Sequence, residues 1–158
     1  MKPPGRFDPA FILATWFGIG YAPVAPGSWG SLAALPFAWI IASLAGSWAL
    51  VPAAFLLFLT GWAASNRVVT HSRSSDPQII VIDEVVGQWL TLAVAPADPL
   101  AYALGFLLFR AADILKPWPA SWADRKVKGG LGVMLDDVLA AAYSAALLWL
   151  VLRLLGRG

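Results

Sequence analysis

Apolar residues run in long blocks, and polar residues collect in short clusters between them. No charged side chain occurs from residue 9 to residue 66. Within that stretch residues 32–45 and 51–65 are strongly apolar, with Gly46, Ser47 and Trp48 between them. This pattern predicts two helices joined by a tight turn, with Pro36 a kink point in the first and Pro52 suited to the start of the second. Ahead of them, Asp8 is a good N-cap and Pro9 fits a first helical position, so a short Phe- and Trp-rich helix is expected at the membrane interface. Residues 67–78 read as a polar loop containing His71, Arg73 and Asp76. A third apolar helix is expected over 79–95, a fourth over 100–115 and a fifth over 134–155. Between the last two, residues 122–132 read as a basic, glycine-rich loop. No stretch alternates with period two, so no sheet is expected. The expected fold is all-α: one domain over 1–158, a polytopic bundle of about five helices plus the short N-terminal interfacial helix.

Composition turns this helical pattern into a membrane reading. The 158 residues are 59% hydrophobic and 13% charged, half the roughly 25% charge of soluble domains. Mean hydropathy is +0.72. A net charge of +2 gives little support to a nucleic-acid partner. The absence of cysteine excludes disulfides, thiolate nucleophiles and Cys-ligated metals. No cleaved signal peptide is expected after the basic first residues. Lys and Arg are enriched in alternate loops, which places residue 1, the 67–73 segment and the 116–128 segment on the cytoplasmic side of five crossings. Lys2 and Arg6 support that orientation; Arg153 and Arg157 run against it.

Inside this apolar frame five carboxylates stand out: Asp83, Glu84, Asp113, Asp136 and Asp137. An ionised side chain in apolar surroundings is costly unless paired or metal-bound. In the expected layout all five fall near the cytoplasmic ends of helices three to five. Arg110 and Lys116 flank Asp113 at helical spacing. The loop that opens the first long helix carries Gly27, Ser28, Gly30 and Ser31, where free backbone N–H groups favour an anion. An oxygen-only ligand set suits Mg²⁺ or Mn²⁺. The single histidine, His71, cannot supply both a nucleophile and an acid and reads as a solvated loop residue. Metal-activated water attacking phosphorus is the simplest remaining reaction. Asp83, Glu84, Asp113 and Asp137 are the expected catalytic acids, and all five acids the expected metal ligands. Arg110, Lys116, Gly27, Ser28, Gly30 and Ser31 are the expected substrate contacts. Arg125, Lys126 and Lys128 fit anionic lipid headgroups at least as well as chemistry. A small cation-coupled transporter using the same acids is the alternative. A headgroup transferase fits less well, because no Asp-x-x-x-Asp run is present.

Four blocks carry a resemblance: APGSWGS at 25–31, IDEVVG at 82–87, FRAADILKPWP at 109–119 and GGLGVMLDDV at 129–138. In order and spacing they resemble the bacterial phosphatidylglycerophosphatase A family. The resemblance implies Mg²⁺-dependent removal of the terminal phosphate of phosphatidylglycerophosphate to give phosphatidylglycerol. It also implies a multi-pass protein of the bacterial inner membrane with an anionic phospholipid substrate. Ser28 stands where the family has Thr, and Ala112 where it has an aromatic. The sequence is silent on oligomeric state.

Overall fold

The computed structural model describes residues 8–72 and 77–157; Lys2, Arg6, Arg73 and Asp76 lie outside them. The described residues form seven α-helices and no strand. The first helix, α1 (Pro9–Ala14), starts as expected: the Asp8 carboxylate accepts from the Ala10 N–H at 3.0 Å, and Pro9 takes the first position. Three consecutive left-handed residues, Trp16, Phe17 and Gly18, then reverse the chain into a single 3₁₀ turn, Ile19–Tyr21. Thr15 fastens that reversal, its Oγ1 accepting from the Gly18 N–H at 3.0 Å.

The two long apolar blocks are the helices α2 (Pro26–Ala45) and α3 (Leu50–Ser72). Both are longer than expected. The α2 helix begins at Pro26 and runs through Pro36. The α3 helix takes in residues 67–72, which correct the polar-loop reading. Two tertiary contacts support its extension. Arg67 pairs with Asp8 at 2.9 Å, and the Asn66 Oδ1 accepts from the Gly130 N–H at 2.8 Å. Polar side chains here tie neighbouring elements together rather than breaking the helix.

The next helix is shorter than expected. Residues 79–81 are not helical, because the Val81 N–H donates to the Ala14 carbonyl at 2.9 Å. Only then does α4 (Ile82–Leu92) begin. Its 11 residues rise about 16 Å, against a hydrocarbon core of about 30 Å. It is the hub of the bundle, buried on nearly every side and packed against α2, α3, α5 (Pro99–Leu115) and α7 (Gly129–Leu154). Asp98 caps α5 by accepting from the Leu100 and Ala101 N–H groups. The expected basic loop is corrected as well: it contains α6 (Ala120–Lys126), and α7 begins already at Gly129. Ala120 and Ala123, one turn apart and both fully buried, dock α6 on α7.

Among the described residues three helices, α2, α3 and α7, are long and apolar enough to cross a membrane. Large apolar side chains such as Leu44, Leu56 and Leu154 stand exposed on them, as in a membrane protein. Lipid tails are as apolar as leucine, so close packing must hold such helices together. Small residues permit it. A Cβ on Gly87 would strike the Phe109 ring, and one on Gly61 would press on Met134. The two arginines that run against the charge rule are both partnered: Arg157 pairs with Asp98 at 3.0 Å, and Arg153 lies 5.2 Å from the Trp149 ring centre.

Candidate active site

A cavity of about 350 Å³ opens where the first turns of α2, α4 and α7 meet the end of α5 and the rim helix α6. Asp83 and Glu84 occupy the first turn of α4, where the helix dipole favours carboxylates. Asp136 and Asp137 come from α7, and Arg110, Asp113 and Lys116 from the last turns of α5. All five predicted acids and both predicted cations line this one cavity. Four segments far apart in sequence converge, as the charge pattern anticipated.

The acids differ in how they are used. Asp113 lies 2.5 Å from an Arg110 nitrogen. Asp136 receives the Lys116 ammonium at 2.5 Å on one oxygen and the Asp137 N–H at 3.0 Å on the other. These two carboxylates therefore have close cationic partners. Among the described residues Asp83 and Asp137 have none, and Glu84 meets Arg110 only at 3.7 Å. Each keeps a buried oxygen without a hydrogen-bond partner, and one ligating oxygen from each lies within 4.8 Å of the others. A buried carboxylate oxygen without a partner is costly, and a divalent cation with oxygen preference is the group that relieves it. Six carboxylates and three cations line the cavity, a formal excess of three negative charges. With all of them ionised, an anionic substrate would meet net repulsion there, which a bound cation would offset. The residues thus fit Mg²⁺ or Mn²⁺ through Asp83, Glu84 and Asp137.

Arg110 is mostly buried and reaches from Asp113 toward Glu84, whose Oε1 is 3.7 Å away. Lys116 ends α5 in a left-handed conformation, φ 44°. Glycine normally takes such a position, so something other than backbone preference keeps lysine there. Its ammonium sits between Asp136 and Asp124 of α6, at 2.5 and 2.7 Å. Burial works against the charge, but the two carboxylates outweigh it and hold the Lys116 pKa above the ordinary lysine range. The turn after Lys116 is fixed by the Tyr143 hydroxyl, which donates to the Trp118 carbonyl at 2.5 Å.

The glycine-rich loop divides. Gly27 lines the cavity and lies so close to Glu84 and Arg110 that a Cβ there would collide with the Glu84 carboxylate. Gly30 faces Val81, Ser31 is wholly buried, and Ser28 is half-buried; none of the three lines the cavity. Their close packing brings α2 onto α4 and so carries Gly27 to Glu84. His71 closes the last turn of α3, with its Nδ1 2.7 Å from the Arg67 carbonyl and its ring edge-on to Phe11, away from the cavity. It is helical rather than a loop residue. Lys128 lines the cavity; Arg125 and Lys126 end α6 outside it. Sequence reasoning missed Asp124, because the α6 segment read as a loop. The Ala120–Ala123 spacing was the available signal for a helix that turns Asp124 toward Lys116.

The model of one family, Phosphatidylglycerophosphatase A, matches residues 12–152. A phosphatidylglycerophosphatase A of Escherichia coli K12 is 38% identical over 146 residues, 91% of this chain and 84% of the relative. That of Haemophilus influenzae is 37% identical over 152 residues, 96% and 93%. A Bacteroides thetaiotaomicron protein, provisionally named a phosphatidylinositol-3-phosphatase, is 35% identical over 144 residues, 87% and 89%. No solved structure matches the chain. None of these relatives is named a transporter, and the acids sit at helix ends beside Arg110 and Lys116, so the transporter alternative finds no support.

Proposed function

Because the chain belongs to the phosphatidylglycerophosphatase A family, a family of phosphoric monoester hydrolases, we propose that it hydrolyses phosphatidylglycerophosphate to phosphatidylglycerol and inorganic phosphate. The reading extends to Mg²⁺ dependence and to a site on the cytoplasmic face of a bacterial inner membrane. The observation that carries it is the trio of buried, unpartnered oxygens on Asp83, Glu84 and Asp137, facing a cavity that also holds Arg110 and Lys116.

The roles follow from what each side chain is free to do. Asp83, Glu84 and Asp137 hold the cation. When bound, Mg²⁺ supplies positive charge to the phosphoryl oxygens and makes water a better nucleophile. Arg110 and Lys116 face the phosphoryl group from the α5 side and neutralise the charge that gathers on it in the transition state. Asp113 and Asp136 keep those two cations in place through their ion pairs. Gly27 lets the opening of α2 approach Glu84 closely, with the helix N-terminus favouring an anion. In the overall reaction a water oxygen bonds to phosphorus, the phosphorus–glycerol oxygen bond breaks, and the alcohol leaves with a proton.

The test is phosphate release from phosphatidylglycerophosphate in mixed micelles. Activity should vanish in excess chelator and return with Mg²⁺ or Mn²⁺. Full turnover in chelator would remove the metal role, and no release under any ion would remove the substrate. Equal release from phosphatidylinositol 3-phosphate would widen the substrate to lipid phosphomonoesters at large.

A further inference from the structure

Asp124 belongs to none of the resemblance blocks, and its geometry ties it to the phosphate side of the cavity. Lys116 turns out of α5 with a left-handed backbone, and its Nζ lies between Asp124 Oδ1 at 2.7 Å and Asp136 Oδ2 at 2.5 Å. An ammonium has three donors. Two are taken by these carboxylates, which approach from different helices, and one is left. Lys116, Asp124 and Asp136 all line the cavity.

Asp136 is buried and its other oxygen is fixed by the Asp137 N–H, so it cannot move with the lysine. Paired with Asp136 alone, the ammonium would settle against α7 as a closed one-to-one ion pair. Asp124 pulls from the rim. We infer that Asp124 is a positioning residue: it holds the Lys116 ammonium between α6 and α7 so that its third N–H meets a phosphoryl oxygen of the substrate.

The inference rests on the phosphatase reading above. Two features make it separable from a structural role. Asp124 is exposed, and exposed ion pairs add little to stability. The rim helix is docked by Ala120 and Ala123, both fully buried, so its packing does not depend on the carboxylate.

The experiment compares Asp124→Ala and Asp124→Asn with the parental enzyme. Turnover of phosphatidylglycerophosphate is measured beside thermal unfolding, and inorganic phosphate binding is followed by ³¹P line broadening. Asp124→Ala should lower kcat/KM about tenfold, the size of one charged hydrogen bond, with the unfolding midpoint unmoved. Asp124→Asn, which keeps an acceptor oxygen, should lose less. Phosphate binding should weaken about as much in Asp124→Ala, and a Lys116→Ala background should abolish that difference. Parental kcat/KM, tighter phosphate binding in Asp124→Ala, or an equal loss in both backgrounds would each overturn the inference. A parental enzyme inactive on the lipid would instead sink the function it rests on.

Discussion

Gly27→Ala isolates one contact at the centre of the cavity. Gly27 lies in the first turn of α2 with no left-handed backbone angle, so alanine fits the local conformation. Alanine is also the better helix former, by up to about 1 kcal/mol. What the new methyl meets is the Glu84 carboxylate, at a separation no real Cβ shows, with an Arg110 nitrogen 3.2 Å away. Glu84 must therefore retreat by on the order of 1 Å, and displacement of that size in a reacting constellation costs about 100-fold in rate. That factor corresponds to about 2.7 kcal/mol of transition-state stabilisation. Two readouts should diverge: thermal unfolding in detergent unchanged or slightly raised, and phosphate release down about 100-fold. Shortening the carboxylate in a Gly27→Ala, Glu84→Asp double variant should recover part of the loss, because the shorter side chain withdraws from the methyl. Parental kcat and KM in Gly27→Ala would refute the reasoning. They would mean that Glu84 can swing aside without consequence for the site.

Replacing Asp83 or Asp137 by Asn should abolish turnover and metal-dependent stabilisation together, since each removes a free ligating oxygen; retention of both in either variant would remove that residue from the metal set. Asp113→Asn should also lose most activity, but through Arg110, so Mg²⁺ should still raise its unfolding midpoint. Lys116→Ala should lose most activity and Lys116→Arg should be clearly impaired, because a planar guanidinium cannot sit as a point charge between Asp124 and Asp136; parental rates in both would reduce Lys116 to a membrane anchor. Asp98, held below the usual carboxylate range by the Ala101 N–H of its cap and by Arg157, should stabilise the fold above that range and lose the contribution as pH falls through its folded pKa. The acid limb of thermal unfolding should accordingly flatten in Asp98→Asn, and an unchanged limb would count against the cap.

The acids were legible in the sequence because carboxylates are conspicuous in apolar runs. Asp83, Glu84, Asp113, Asp136 and Asp137 do share one cavity. Charge alone, however, could not separate those with buried free oxygens from those paired closely with Arg110 or Lys116, because that depends on which helix faces meet. Helix ends were the weakest part of the reading. Residues 67–72 are polar yet helical, since Asn66 and Arg67 spend their polarity on Gly130 and Asp8. Residues 79–81 are apolar yet not helical, since the Val81 N–H is committed to Ala14. Both outcomes rest on partners more than 50 residues away in sequence, in all three contacts. The basic segment concealed α6 because its helical signal is only two alanines. Ser31 and Gly30 were singled out for chemistry, but their small size serves the contact of α2 with α4.

The free oxygens sit on α4 and α7, deep in the bundle and fixed by packing; the rim sits on α6, seven residues docked by two alanines. The ligating oxygens and the rim thereby belong to separate packing units. The exposed positions of α6 other than Asp124 can therefore be exchanged one by one without moving a ligating oxygen. Chimaeras that graft the Ala120–Lys126 segment of a relative are the natural units in which to redesign this protein.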